Sequence, residues 1–100
     1  MNDSIALGWI DYDISRAPES DRDLIRRLAD QLGYRIVWPY ERSLLRATDQ
    51  ARNAGADLVV LPTPDHLSPL ELNAVMDVAD VEIVAPRLSF ARWSYVQVKP

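Results

Sequence analysis

Four short apolar runs alternate with amphipathic helical segments, and this alternation limits what the chain can fold into. The runs lie near residues 5–10, 35–38, 58–61 and 81–84. Strands and helices that alternate with short links build a parallel sheet, because each right-handed crossover lays its helix back on the sheet. The sequence therefore predicts one α/β domain with a mostly parallel, doubly wound sheet of order β-α-β-α-β-α-β.

The helical segments carry boundary signals of their own. Ser20 can cap the first helix, with Asp23 returning the bond, and Gly33 can end it. Gly55 ends the second helix. Residues 68–71, Ser-Pro-Leu-Glu, combine a cap, a proline at the first helical position and a capping-box acid. We expect all four strands in one sheet, with the first and third adjacent because the most apolar strands should be central.

Residues 87–100 follow the last strand that the parallel pattern explains. They carry Phe90, Trp93 and Tyr95, three of the eight aromatic residues of the chain. This segment could form an edge strand, or a short helix followed by an extended end. Its aromatic side chains either cover the sheet edge of their own domain or form a candidate interface with a partner. In both cases we expect Trp93 to be substantially buried, in the monomer or at an interface.

Composition excludes several kinds of site. The chain has no cysteine, which excludes disulfides and thiolate chemistry, and a single histidine, which excludes a histidine-rich metal site. No apolar run approaches the length of a membrane span, and the first four residues lack the basic region of a signal peptide. We therefore expect a cytoplasmic protein. Ten arginines and one lysine fit a GC-rich, bacterial genome.

The distribution of charge argues against nucleic-acid binding. The formal net charge is −4. Residues 16–52 hold eight arginines and six acidic residues, whereas residues 53–86 hold six carboxylates and no lysine or arginine. Phosphate backbones attract basic surfaces and repel acidic ones. We therefore expect a protein partner or self-association, and neither nucleic acid nor a membrane.

Polar residues gather after the strands, where open parallel sheets form their ligand-binding crevice. No glycine-rich phosphate-binding motif is present, because the three glycines lie far apart, and this excludes dinucleotide and P-loop sites. Six of the polar residues at the strand ends define a candidate crevice. They are Asp11, Asp13, Ser15, Arg42, Asp65 and His66.

This crevice allows several kinds of chemistry. Its three aspartates could bind Mg²⁺, or could cap loops and helices. His66 could be a general acid or base, or a hydrogen-bonded loop side chain. Ser15 with Arg16 could be a nucleophile pair, or Ser15 could be an ordinary turn residue.

Two blocks of sequence resemble the catalytic domain of the serine recombinases (the resolvase/invertase family). Residues 6–10, Ala-Leu-Gly-Trp-Ile, are similar to the opening strand of that family. Residues 56–61, followed by Asp-His-Leu-Ser at 65–68, are similar to its third strand and Asp-Arg-Leu loop. The resemblance spans roughly residues 5–86 and implies a resolvase-like, flavodoxin-like three-layer sandwich.

The catalytic residues of the family are not matched. Its opening strand reads Tyr-x-Arg-Val-Ser, and the serine attacks a DNA phosphate. In an ungapped alignment Asp11 takes the arginine position and Asp13 the serine position. In the Asp-Arg-Leu-x-Arg loop Asp65 is kept, while His66 and Pro69 replace the two arginines. Phosphoryl transfer needs cations around the phosphate oxygens, whereas this crevice carries carboxylates that repel them.

The resemblance therefore implies a serine recombinase-like pseudoenzyme, with no catalytic residue, no metal and no cofactor. Arg42 matches a further family arginine only after a one-residue shift. We expect neither the long dimerisation helix nor the DNA-binding domain of the family, and we expect a protein-interaction or regulatory module. One alternative is a small enzyme or a ligand- or Mg-binding protein that uses the acidic crevice. A second is a DNA recombinase fragment, in which Ser15 reaches the nucleophile position through a two-residue insertion.

Overall fold

The computed structural model describes residues 4–39 and 45–93. The expectations for Arg42 and Tyr95 lie outside these described residues. The helices are α1 (Pro18–Leu32), α2 (Ala47–Ala54) and α3 (Pro69–Met76), and a short 3-10 turn covers Pro64–His66. The strands are β1 (Ile5–Gly8), β2 (Arg35–Val37), β3 (Leu58–Leu61), β4 (Asp80–Ile83) and β5 (Leu88–Phe90).

The five strands form one sheet of order β2-β1-β3-β4-β5. The first four strands are parallel, and β5 runs antiparallel to β4. The predicted parallel pairing of four strands, with the first and third adjacent, is confirmed. The order changes direction between β1 and β3, which makes the carboxyl ends of these two strands the topological switch point of the sheet.

The core consists of two apolar clusters, one on each face of the sheet, and together they make three layers. Every residue of β3 is buried, as its continuous apolar run predicts, because helices cover both of its faces. On one face α1 packs through Ile25, Leu28 and Ala29 on Ala6, Leu58 and Val60. On the other face α2 and α3 pack through Ala47, Ala51, Val75 and Met76 on Leu7, Val59, Leu61, Val81 and Ile83.

The helix boundaries follow the local chemistry, with one correction. Gly33 and Gly55 end α1 and α2 with φ values of 81° and 64°, the left-handed conformation that glycine adopts without strain. At α3 the Glu71 N–H donates to Ser68 Oγ and the Ser68 N–H donates to Glu71 Oε1, so the capping box is confirmed. The prediction that Ser20 caps α1 is wrong. The helix begins at Pro18, whose missing N–H costs nothing in a first helical turn.

Of the two alternatives for the segment after β4, the structure has the edge strand, which covers Leu88–Phe90 and places Phe90 opposite Val81. Phe90 packs on the cluster beneath α2 and α3. The chain then turns toward α3, where the Trp93 N–H donates to the carbonyl of Met76 and its indole N–H donates to Asn73 Oδ1. Trp93 is nonetheless 48% exposed. The prediction that Trp93 is substantially buried within one chain is therefore wrong. The three-residue strand β5 ends before the Trp93 ring can reach the core. Burial of Trp93 at an interface stays a prediction.

None of the helices in the described ranges has the length and apolar character of a membrane span.

Candidate functional site

One hydrogen bond connects the two loops at the switch point. The backbone N–H of Asp11, just after β1, donates to Nδ1 of His66 at 2.7 Å. His66 belongs to the 3-10 turn that follows β3, and only 4% of it is exposed. The bond therefore joins the two loops that border the crevice of a doubly wound sheet.

This geometry defines the state of the imidazole. Because a backbone N–H points at Nδ1, that nitrogen acts as an acceptor and the ring proton lies on Nε2. The Nδ1 atom of His66 is therefore occupied by a hydrogen bond within the protein, and the ring is buried. His66 fits the interpretation as a hydrogen-bonded loop side chain better than that of a general base, which must reach its substrate.

Asp11 organises the loop that follows β1. Its Oδ1 accepts from the Asp13 N–H at 3.0 Å, and its carbonyl accepts from the N–H groups of Ile14 and Ser15, also at 3.0 Å. An aspartate that bonds the backbone two residues on forms an Asx turn. The Ser15 hydroxyl in turn donates to Asp21 Oδ2, which anchors the loop to the first turn of α1. These groups serve the conformation of the loop.

The three aspartates of the crevice do not form a metal centre. Across residues 4–39 and 45–93, no three carboxylate or imidazole side chains are placed so that they could hold a metal ion. Asp13 and Asp65 are exposed, whereas Asp11 is half-buried and bonded within its own turn. The carboxyl ends of parallel strands bring the loop backbones together, but the direction of each aspartate side chain is set by the turn in which it lies. The alternative interpretation, that these aspartates cap loops, is the one that Asp11 fits.

A stacked arrangement beside the crevice was not predicted. The guanidinium carbon of Arg22 lies 4.9 Å from the centroid of the Trp38 ring, a cation–π geometry. The ring also covers Gly8, where a Cβ atom would overlap it. Arg22 Nε is buried and has no hydrogen-bond partner among the described residues. A glycine inside an apolar strand was the only available signal, since such a glycine often marks a close approach.

A cavity that the sequence did not predict lies between β2 and α2, on the other face of the sheet. Its volume is about 360 Å³, and its lining includes Gln50 of α2. A buried glutamine in a helix is hard to recognise from sequence, because polar residues at helical spacing normally face solvent.

Comparison of the chain with protein-family models, with curated proteins and with solved structures finds no match.

Proposed function

We propose that this chain is a resolvase-like domain that has lost recombinase chemistry and acts as a protein-interaction or regulatory module. The observation that carries the proposal is the bond from the Asp11 N–H to His66 Nδ1 at the switch point. A ligand of a doubly wound sheet binds between the loops after its central strands. Here those loops are bonded to each other through a buried ring.

The chemistry of the crevice supports the loss of catalysis. Phosphoryl transfer depends on cations that stabilise charge on the phosphate oxygens. The resemblance aligns Asp11 with an arginine of the family and Asp13 with its nucleophile, and Ser15 donates its hydroxyl hydrogen to Asp21. Asp21 can accept the Ser15 proton, but among the described residues no arginine or lysine forms an ion pair with Asp21, so the pair lacks the cations that phosphoryl transfer needs.

The surface around the crevice supports a role in interaction. Tyr12 and Ile14 alternate with Asp13 in the loop after β1, and they are 54% and 43% exposed. Aromatic residues are enriched in the cores of protein interfaces, whereas single exposed apolar residues are common on any surface. Two such side chains on a hydrogen-bonded, ordered turn cost little conformational entropy when a partner covers them.

Affinity capture followed by reconstitution tests this proposal. The immobilised chain and its Asp65→Asn variant are each exposed to a lysate of the source cells. We expect both to retain the same protein, because the Asp65 carboxylate is exposed and the proposed role does not use it. The recovered protein is then purified, and its affinity for each form is measured by calorimetry.

Equal dissociation constants for the two forms would support an interaction module. A purified protein that does not bind either form would contradict the proposal. A partner that binds only the form with the intact Asp65 carboxylate would indicate that the acidic crevice is itself the working site.

A further inference from the structure

A cavity of about 350 Å³ lies between the loop after β1 and the first two turns of α1. Its described lining residues are Tyr12 of the loop and Pro18, Glu19 and Arg22 of the helix. None of them comes from the loop after β3, which distinguishes this cavity from the crevice at the switch point. We refer to it as the α1 pocket.

The guanidinium of Arg22 is ordered before any ligand arrives. Its carbon atom stacks 4.9 Å from the centroid of the Trp38 ring, and its Nε is enclosed without a hydrogen-bond partner. The two Nη groups are not enclosed, and they make no hydrogen bond with any described residue. An ordered side chain loses little conformational entropy on binding. Arg22 therefore offers two free Nη donors at a small entropic cost.

Arg22 also lacks a counter-charge. It is the only arginine of the described residues that is neither exposed nor in an ion pair with a carboxylate. Taking a cation out of water without pairing it is unfavourable, so partly buried charges normally have partners. The arrangement therefore indicates that an anion completes the α1 pocket. The described arginines in ion pairs are Arg26, Arg52, Arg87 and Arg92, and the exposed ones without an ion pair are Arg16, Arg27, Arg35 and Arg46.

Two carboxylates of α1 lie close to Arg22 in sequence, and neither pairs with it. Glu19 lines the pocket one turn earlier on the helix and is exposed, and Asp21 accepts a hydrogen bond from the Ser15 hydroxyl. Both carboxylates repel a second anion. A ligand with a single negative charge is therefore favoured over a dianion such as a phosphate, which would meet two like charges beside one cation.

We propose that the α1 pocket binds the carboxylate of one aspartate or glutamate side chain of a protein partner, an inference that rests on the proposed function and names its surface. The two carboxylate oxygens accept hydrogen bonds from the Nη groups of Arg22. A planar guanidinium matches a carboxylate in this way through two parallel bonds. An apolar side chain beside the acidic residue packs on Tyr12 and Pro18.

The charge of the chain distinguishes this ligand from a nucleic acid. A formal net charge of −4 repels a polyanion, which needs a basic surface. A single carboxylate in contact with a guanidinium is attracted at short range, where distant charges are screened. The neighbouring Tyr12 is 54% exposed, and tyrosine and arginine are enriched in the cores of protein interfaces. These features fit an acidic side chain flanked by an apolar one.

Selection from a phage-displayed library of random dodecapeptides on the intact chain tests this site. We expect the enriched peptides to carry an acidic residue next to an aromatic or large aliphatic residue. Replacing the acidic residue of such a peptide with its amide should weaken binding about tenfold or more, because a hydrogen bond between two charged groups is lost. Inorganic phosphate should displace the peptide no better than acetate does.

A double-mutant cycle assigns the effect to Arg22. Arg22→Gln should weaken binding of the acidic peptide about tenfold or more, and should leave binding of the amide peptide almost unchanged. Arg22→Lys should give an intermediate affinity, because the charge stays while the planar pair of donors is lost. Arg27→Gln, at an exposed arginine of the same helix, is the matched control and should bind like the unaltered chain.

Glu19→Gln gives a test in the opposite direction. It should strengthen binding of the acidic peptide about two- to fivefold, because it removes a like charge from the lining of the pocket. This variant and the amide peptide both leave the contact between Arg22 and Trp38 intact. The inference therefore stays testable if Arg22→Gln fails to fold.

No enriched peptide, enriched peptides without an acidic residue, equal binding by Arg22→Gln, or equal binding of the acidic and amide peptides would each overturn the inference. Phosphate that displaced the peptide at a lower concentration than acetate would overturn it in favour of a phosphate ligand. A dimer in sedimentation velocity that Arg22→Gln dissociates would overturn it in favour of a second copy. A captured, reconstituted partner that binds Arg22→Gln equally would remove this site and leave the interaction module standing. Failure of both capture and peptide selection would remove the proposed function as well.

Discussion

Replacing Gly8 with alanine should destabilise the domain by about 2–3 kcal/mol, since inserting a methyl group into a tightly packed region costs energy of this order. The new Cβ would overlap the six-membered ring of Trp38. The ring cannot retreat freely, because it packs on the cluster beneath α1 and carries the Arg22 guanidinium on its face.

Urea unfolding measures this effect, and a double-mutant cycle with Trp38→Leu isolates its cause. In the Trp38→Leu background Gly8→Ala should cost much less, because a smaller side chain leaves room for the methyl group. Gln31→Ala, at an exposed position of α1, is the control and should change stability by no more than about 0.5 kcal/mol. A Gly8→Ala protein as stable as the unaltered chain would show that the packing described for Trp38 is incorrect.

His66→Leu should destabilise the domain by about 2–3 kcal/mol. Leucine fills most of the buried volume but offers no acceptor, which leaves the Asp11 N–H unpaired at the switch point. His66→Asn should recover part of the loss, because an asparagine Oδ1 can accept at the position of the histidine Nδ1.

Urea unfolding of these variants distinguishes the contribution of the hydrogen-bond acceptor from that of the buried side-chain volume. Asp65→Asn, next to His66 but exposed, is the control and should be nearly neutral. If leucine proved as stable as histidine, or if asparagine were no better than leucine, the hydrogen bond would not hold the two loops together.

The sequence predicts the sheet well because its signals are local. The uninterrupted apolar run of β3 requires cover on both faces, and parallel pairing follows from the helices that intervene. Gly33, Gly55 and the Ser68–Glu71 capping box each act within a single helix end. Features of this kind depend on neighbours in sequence, so the chain alone is enough to predict them.

The start of α1 shows the limit of such local signals. Ser20 and Pro18 both favour a helix start, and they compete within three residues. The proline fits the first turn, and the Ser15–Asp21 hydrogen bond holds the preceding loop to it. Which of the two residues starts the helix depends on the conformation of the loop after β1, and the sequence does not give that conformation.

The arrangement of the crevice depends on contacts between residues distant in sequence. Asp11 and His66 are 55 residues apart, and only the β1–β3 pairing brings them together. Strand order could predict that they lie near each other, but not that a backbone N–H would meet Nδ1. The same applies to Gln50, whose burial depends on how far the short helix α2 reaches across β2.

A DNA-binding and strand-cleavage assay tests the proposed loss of recombinase chemistry most directly. The chain is incubated with supercoiled and linear duplex DNA at low salt, where electrostatic binding is strongest, and the mixture is quenched with denaturant. With a net charge of −4 and carboxylates at the crevice, we predict no covalent protein–DNA adduct and no binding at protein concentrations up to about 10 µM. A covalent adduct through a serine, or salt-sensitive binding at micromolar concentration, would contradict this account.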